Sequence, residues 1–386
     1  MKSMAERIHP GLFSRNGKTE FPILMRYPFG IIGATGATGQ QVAIALLNVG
    51  AEGILLGGRN ISLLTGLRDK SSGTVRASVV NIENPQSLDA FCAEAQTIVN
   101  CAGPVSVLGA RVAEAALRNK CHYIDPSGLS VVPQSLEPVK DQILNAGLSF
   151  VSSAGWSPGL TELLPAYAYD LAKEKFGSVE RVSVFFGDWG HWSDNAVADV
   201  VSFMQANKRR PSGLFRRGEW KADRSAANRT ENLGEPLVEG RFASFYTPEL
   251  ESLGRAMIDA DFGSWAHYCD SQSQRLTSAV AMLPIGQSKA IGMIRQAYSG
   301  YQQPVGGFAV AKAETASGQR CTVLATFGKG RDYELQGSVV ATAANLIAHG
   351  SSAPGVRYFW EAFHRPTLIE WLKSEGVRIS ETFDAG

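Results

Sequence analysis

Glycines at 33, 36 and 39, in the run Phe29-Gly-Ile-Ile-Gly-Ala-Thr-Gly-Ala-Thr-Gly39, are spaced for chemistry on a phosphate. Each lacks the Cβ that would hold backbone N–H groups away from an anion, and a helix starting there adds its positive end. The flanks fit. Phe29 to Ile32 reads as an apolar strand, and Val42, Ala45, Leu46 and Val49 fall on one helical face. The spacing is GxxGxxG, and strand, tight turn and helix give the context such a motif needs. Thr35, Ala37 and Thr38 complete the turn and count with the glycines as diphosphate contacts.

A second clue lies about twenty residues further on, at Ile54-Leu-Leu-Gly-Gly-Arg59-Asn60. A fold that binds NAD carries a carboxylate there for the ribose 2′-hydroxyl, whereas a 2′-phosphate repels that charge and suits an arginine. This strand end has Arg59, next to Asn60, and no acid. NADP(H) is therefore favoured over NAD(H); the plainer reading of Arg59 is a solvated loop cation.

Ligands of open α/β sheets bind beyond the carboxyl ends of the strands. Three later strand ends carry suitable residues. Asn100-Cys-Ala-Gly-Pro104 offers Asn100, Ala102, Gly103 and Pro104 for close backbone approach to the cofactor. Tyr123, Asp125 and Ser127 follow the next strand, and Trp156 and Thr161 the one after; Ser127, Trp156 and Thr161 are the candidate substrate contacts. Asp125 can steady an iminium charge or pass a proton. An Asp before Pro126 is equally a turn-former, and alternation along the strand can turn Tyr123 into the core.

His191, in Gly187-Asp-Trp-Gly-His-Trp192, is the third catalytic candidate, as an imidazole able to act near neutral pH or merely a packing residue. Arg209-Arg210 and Arg216-Arg217 can clamp a substrate carboxylate, or form a solvated basic face. Tyr169 and Lys173 match the YxxxK of short-chain dehydrogenases. That motif's helix precedes the sixth strand, whereas here it follows, and an i, i+4 pair on an amphipathic helix needs no catalytic role.

The elements that must position these residues alternate from Phe29 onward. Strands are expected at 29–32, 54–58, 75–82, 97–101, 121–125 and 148–153, with helices between them, including one over 135–146. Asn60 and Asn84-Pro85 are helix starts. Parallel neighbours need crossover helices, so the expected fold is α/β, a Rossmann-type doubly wound parallel sheet. Near Gly155 the alternation stops. A helix over 160–175 and a strand over 179–186 follow, then a polar, basic excursion over 205–241 and strands at 308–316, 320–327 and 332–337. These form a second α+β domain with a mixed sheet. Helices over 337–349 and 365–376 come last, and the uncharged run Ser338 to Ala348 points to burial against the nucleotide domain. The expected division is an N-terminal extension (1–28), an NADP-binding domain (29–157), a substrate domain (158–336) and returning helices (337–386).

Composition narrows the partners. At 386 residues the chain can bury a large core, and 37 basic against 36 acidic residues leave a net charge of +1. No global field draws it to nucleic acid or membrane, so a small-molecule substrate is expected, and self-association as a homodimer stays open. Five cysteines without a CxxC pair point to no metal site, and with no signal-peptide pattern the expected location is cytoplasmic.

GATGATG at 33–39, the Arg59 loop, Asn100-Cys-Ala-Gly-Pro, His122-Tyr-Ile-Asp125, Gly155-Trp-Ser-Pro-Gly159 and Gly355-Val356 occur in an order that resembles the saccharopine dehydrogenase-like family of NAD(P)-dependent oxidoreductases. The resemblance implies hydride transfer at an imine or amine carbon of an amino- or oxo-acid. It also implies that the glycine turn, Arg59 and the Asn100 to Pro104 loop hold NADP(H) while Asp125 faces the site. A carbonyl or enoyl reductase and a non-catalytic NADP(H)-binding regulator are the alternatives.

Overall fold

The computed structural model describes residues 26–71, 74–189, 192–207 and 211–385. Most of the expected N-terminal extension, His191, Arg209 and Arg210 lie outside the described residues.

The first half of the chain runs β1 (Tyr27–Ile32), α1 (Ala37–Asn48), β2 (Ile54–Gly58), α2 (Ile61–Asp69), β3 (Val75–Val79), α3 (Pro85–Ala93), β4 (Ala95–Asn100), α4 (Val105–Arg118), β5 (His122–Ile124), α5 (Val131–Leu136), α6 (Lys140–Asn145) and β6 (Ser149–Ser152). Short polar signals set these boundaries. The side chain of Asn60 accepts from the Leu63 N–H to cap α2, and Asn84 does the same for Ser87 ahead of Pro85 in α3. One expected helix, over 135–146, is instead α5, a 3₁₀ turn at Glu137–Val139 and α6, with Pro138 interrupting at the turn.

The second half runs α7 (Leu160–Phe176), β7 (Arg181–Asp188), α8 (Asp194–Ala206), β8 (Gly213–Arg216), β9 (Glu219–Ala222), β10 (Asn228–Glu231), β11 (Gly240–Ser244), α9 (Pro248–Ala256), β12 (Asp261–Tyr268), α10 (Ser271–Met282), α11 (Gln287–Tyr298), β13 (Gly307–Glu314) and β14 (Arg320–Phe327). Then come α12 (Asp332–Ala348), β15 (Gly355–Tyr358), α13 (Phe359–Ala362), α14 (Arg365–Ser374) and β16 (Arg378–Asp384). The polar stretch 205–241 is therefore not a bare excursion. Much of it forms β8 to β10, anchored where Phe215 and Trp220 meet edge to face at 5.3 Å.

Six strands of the first half join β15 in a seven-stranded parallel sheet, order β15-β6-β5-β4-β1-β2-β3. β15, four residues at the edge of this sheet, is not among the expected strands. A second, mixed sheet has nine strands, with the path β10-β11-β12-β7-β13-β14-β16. Residues 332–337, expected as its third neighbouring strand, open α12 instead, and β16 pairs with β14. Asp332 and Glu334 sit in that helix's first turn, where acids favour the positive helix end, and Leu335, Val339 and Val340 continue the buried side.

Both faces of the parallel sheet are covered. Ile98, Tyr123 and Phe150 pack beneath α3 to α6, while Ile31, Val99 and Val151 share a core with Val42 and Leu46 of α1 and with Ala341 and Ala344 of α12. That second core continues through α7 into Val182, Ala309 and Val323 of the mixed sheet. Each large apolar side chain so buried contributes about 1.5–3 kcal/mol, which is why one hydrophobic mass holds the two sheets together. α12 crosses that mass and brings its first turn to the loops at the carboxyl ends of the strands.

Candidate functional site

Two adjoining cavities lie at that edge. The larger, about 810 Å³, is lined by Gly33, Thr35, Gly36, Ala37, Thr38 and Arg59 from the first two strand ends. Ala102, Gly103 and Pro104 line it from the third, and Ser127 and Gly128 from the fourth. The smaller, about 460 Å³, is framed by Trp156, Phe186, Asp188, Trp192, Phe245 and Tyr298, largely residues of the mixed-sheet half. Thr38, Ser157, Ser193, Phe245, Tyr333 and Gln336 line both, so the two cavities share a wall.

The glycine turn is built to leave room for a diphosphate. Gly33 has φ +81°, and a Cβ on it would sit 2.8 Å from the Ala102 nitrogen; a Cβ on Gly39 would overlap the Gly33 carbonyl oxygen. Gly39 thus serves close helix–turn packing behind the cleft, while Gly36 borders the cavity itself. Arg59 is exposed at its rim and makes no hydrogen bond or ion pair among the described residues. A nucleotide with a third phosphate fits this cradle: glycines line the floor, α1 starts at it, and a free guanidinium stands at the edge.

Several sequence candidates support the cleft from behind. Asn100 is buried; its Oδ1 accepts the Ala102 N–H at 3.1 Å and its Nδ2 donates to the Tyr123 hydroxyl at 3.1 Å, so it shapes the 101–104 loop. Tyr123 is fully buried, stacked on Phe150, and lines neither cavity, which removes it as a group that touches substrate. Asn60 is the α2 cap rather than a lining residue. Thr161 is likewise buried in the first turn of α7, donating to Glu162 Oε2 at 2.9 Å, and lines neither cavity.

Asp125 does not face the site either. It is fully buried, accepting the Ser127 N–H at 2.8 Å and the Ser152 hydroxyl at 3.1 Å, so it holds the 126–129 loop that does line the cleft. Burial pushes its carboxyl up to about 7 against the pull of these bonds. The turn-former reading of Asp before Pro126 is the one its geometry supports.

The smaller cavity contains a carboxylate that the sequence reading left unassigned. Asp188, at the end of β7, accepts the Trp156 indole N–H at 3.0 Å. Burial raises its carboxyl to about 7; Asp332 on the same wall adds to the rise, and the Trp192 and Trp156 indoles pull it back. The available signal was the segment Gly187 to Trp192 after the strand expected over 179–186, in which the sequence reading weighed only His191. Trp156 is held from the other side by its backbone N–H, which donates to Gln336 Oε1 of α12 at 2.7 Å.

The arginine pair that the sequence offered as a carboxylate clamp is engaged elsewhere. Arg216 pairs with Asp261 and Asp223, and Arg217 bonds Glu180 and the Asp259 carbonyl, all on the outer face. Lys173 donates to Tyr169 and Asp259, each at 2.9 Å, on the exposed side of α7, so the YxxxK match lies away from the cleft.

Behind the 126–130 loop two further acids are buried together. Glu162 accepts the Gly159 N–H at 2.6 Å, and Glu249 accepts the Ser130 N–H at 2.9 Å and the Ser153 hydroxyl at 3.2 Å. Glu162 Oε1 and Glu249 Oε2 have no partner. Burial raises both carboxyls, that of Glu162 to about 8 with the charge of Glu249 adding to it. Neutral, protonated forms suit such a site.

A doubly wound parallel sheet, a glycine cradle at its carboxyl edge and a mixed sheet closing a second cavity over it define a dinucleotide-binding protein of the Rossmann class. Residues 29–150 match the family described as "Saccharopine dehydrogenase NADP binding domain". Over those residues the chain carries an NADP-binding domain similar to that of the saccharopine dehydrogenases, and its cofactor is NADP(H).

A probable mitochondrial saccharopine dehydrogenase-like oxidoreductase of Arabidopsis thaliana is 28% identical over 151 residues, covering 36% of this chain and 33% of the relative. A lipid droplet localized protein of Caenorhabditis elegans is 29% identical over 147 residues, 34% of each chain. The matched stretch therefore spans about a third of these curated relatives. Saccharopine dehydrogenase (L-Glu forming) from Saccharomyces cerevisiae shares the fold at a TM-score of 0.61 and 14% identity, over 92% of this chain and 99% of that one. Among the described residues, no helix is long and apolar enough to cross a membrane.

Proposed function

We propose that the chain is an NADP(H)-dependent oxidoreductase that transfers a hydride at a C=N or C–N carbon of a small molecule. The observation that carries this reading is the shared wall: a pocket lined by the carboxylate of Asp188 adjoins the nucleotide cleft. The 33–39 turn holds the diphosphate on backbone N–H groups, and Arg59 meets the 2′-phosphate, which gives NADP(H) its advantage over NAD(H). The bound nicotinamide supplies the hydride for the C=N carbon. Asp188 steadies the positive nitrogen, and the Trp156 and Gln336 contacts fix the wall between the two ligands. Asp125 acts through the loop it braces. The cytoplasm remains the proposed location.

NADPH oxidation with carbonyl compounds plus amines tests the proposal, with loss of turnover in Asp188→Asn expected. Tight NADPH binding with no consumption across the panel assigns the chain to the regulators instead. One observation favours a second reading: a carboxyl titrating at about 7 can also hand a proton to a carbonyl or enoyl group near neutral pH. NADPH consumption by an aldehyde or enone without any amine selects it.

A further inference from the structure

We propose that the smaller cavity takes a hydrocarbon-bodied amine, or its iminium, bound by its cationic nitrogen at Asp188 and carrying no carboxylate of its own. The inference rests on the hydride-transfer reading above and replaces the amino- or oxo-acid expected from the sequence with a narrower class.

Charge comes first. Asp188 and Asp332 both line the cavity, and among the described lining residues there is no lysine or arginine. His267, also in the wall, is kept neutral, its imidazole pushed down to about 4 by burial. A substrate carboxylate brought here would lose its water and meet two like charges without a compensating cation. An ammonium or iminium meets the opposite situation.

Aromatic rings favour the same charge. Trp192 and Tyr298 stand 5.3 Å apart between centroids, and both line the cavity together with Trp156, whose indole already points its N–H at Asp188. The indoles of Trp156 and Trp192 both hydrogen-bond Asp188 and fix its carboxylate in the cavity, and the Tyr298 ring beside Trp192 adds a surface that suits a cation.

Much of the remaining wall is hydrocarbon, with Ser244, Gln274, Thr277 and Ser278 among its polar members. Phe186, Met204, Ala281 and Ile294 supply apolar surface from β7, α8, α10 and α11, and Val200 and Phe245 add more where the cavity borders the nucleotide cleft. A volume of about 460 Å³ accommodates a body of many carbons, within the range of ordinary small-molecule sites. Amine carbon and cofactor meet across Thr38, Ser157 and Gln336.

Calorimetry on the NADP⁺-loaded protein with octylamine, octanoate and 1-octanol tests this. Octylamine should bind about tenfold or more tighter than octanoate, and Asp188→Asn should weaken octylamine about tenfold while leaving 1-octanol within about twofold. Asn keeps the oxygen that accepts from Trp156. Octanoate binding as tightly as octylamine, an unchanged octylamine affinity in Asp188→Asn, or binding of none of the three overturns the proposal. Should that variant fail to fold, the wild-type ratio of octylamine to octanoate decides alone. NADP⁺ reduction, followed in the same samples, separates the two claims. Asp188-dependent octylamine binding without reduction removes the hydride reading and keeps the ligand class, whereas reduction by amino acids alone keeps the reaction and overturns the class.

Discussion

Trp156 donates its indole N–H to Asp188 at 3.0 Å, and this bond ties the loop after the last first-half strand of the parallel sheet to the end of a central strand of the mixed sheet. Both residues line the smaller cavity, and Ser157, next to Trp156, lines both cavities. Replacing Trp156 with Phe keeps the ring against Phe327, 4.9 Å away between centroids, but removes the donor. We expect a loss of about 1–2 kcal/mol in urea unfolding at pH 8, and a larger fall in kcat than in NADPH affinity.

Arg59 tests cofactor choice. In Arg59→Ala the KM for NADPH should rise about tenfold or more while NADH use stays nearly constant, because only the 2′-phosphate meets the guanidinium. Equal changes with both nucleotides would refute the 2′-phosphate contact.

Gly36 and Gly39 separate binding from folding. An added Cβ at Gly36 approaches the Gly33 oxygen to 3.3 Å and otherwise enters the cleft, so Gly36→Ala should weaken NADPH binding with little change in Tm. Gly39→Ala forces backbone apart and should lower both, with about 1–3 kcal/mol of lost stability. Matching melting curves for the two variants would contradict this division.

The buried Glu162–Glu249 pair sets a pH dependence. Unfolded, Glu162 titrates at 4.5; folded, at about 8. Between these values the folded state holds a proton that the unfolded state has released, so stability falls as pH rises through the window and the loss is complete above about 8. Urea midpoints at pH 5, 6.5 and 8.5 should therefore decline more steeply in the wild type than in Glu162→Gln, whose amide carries no titrating proton. Parallel declines would mean that Glu162 ionises freely in the fold.

Tyr123→Phe checks the removal of a sequence candidate. With its ring in the core, kcat should remain within about twofold, and stability should drop by about 1 kcal/mol as Asn100 Nδ2 loses its acceptor. A collapse of kcat at unchanged stability would return Tyr123 to the catalytic set.

The sequence by itself determined the nucleotide cradle. Glycine spacing, the strand before it, the helix after it and the arginine at the next strand end are all local, and local sterics and charge dictate them. The same holds for the helix caps at Asn60 and Asn84. Where the four-residue strand at 355 pairs, and that Asp188 rather than Asp125 faces a cavity, were decided only by tertiary structure. Burial of a side chain depends on which distant element lands on it. Asp125 is covered by its own loop, whereas Asp188 is left at an opening made by Trp156, Trp192 and the first turn of the long helix that follows the mixed sheet's hairpin, contacts between segments far apart in the chain and invisible to any window of sequence.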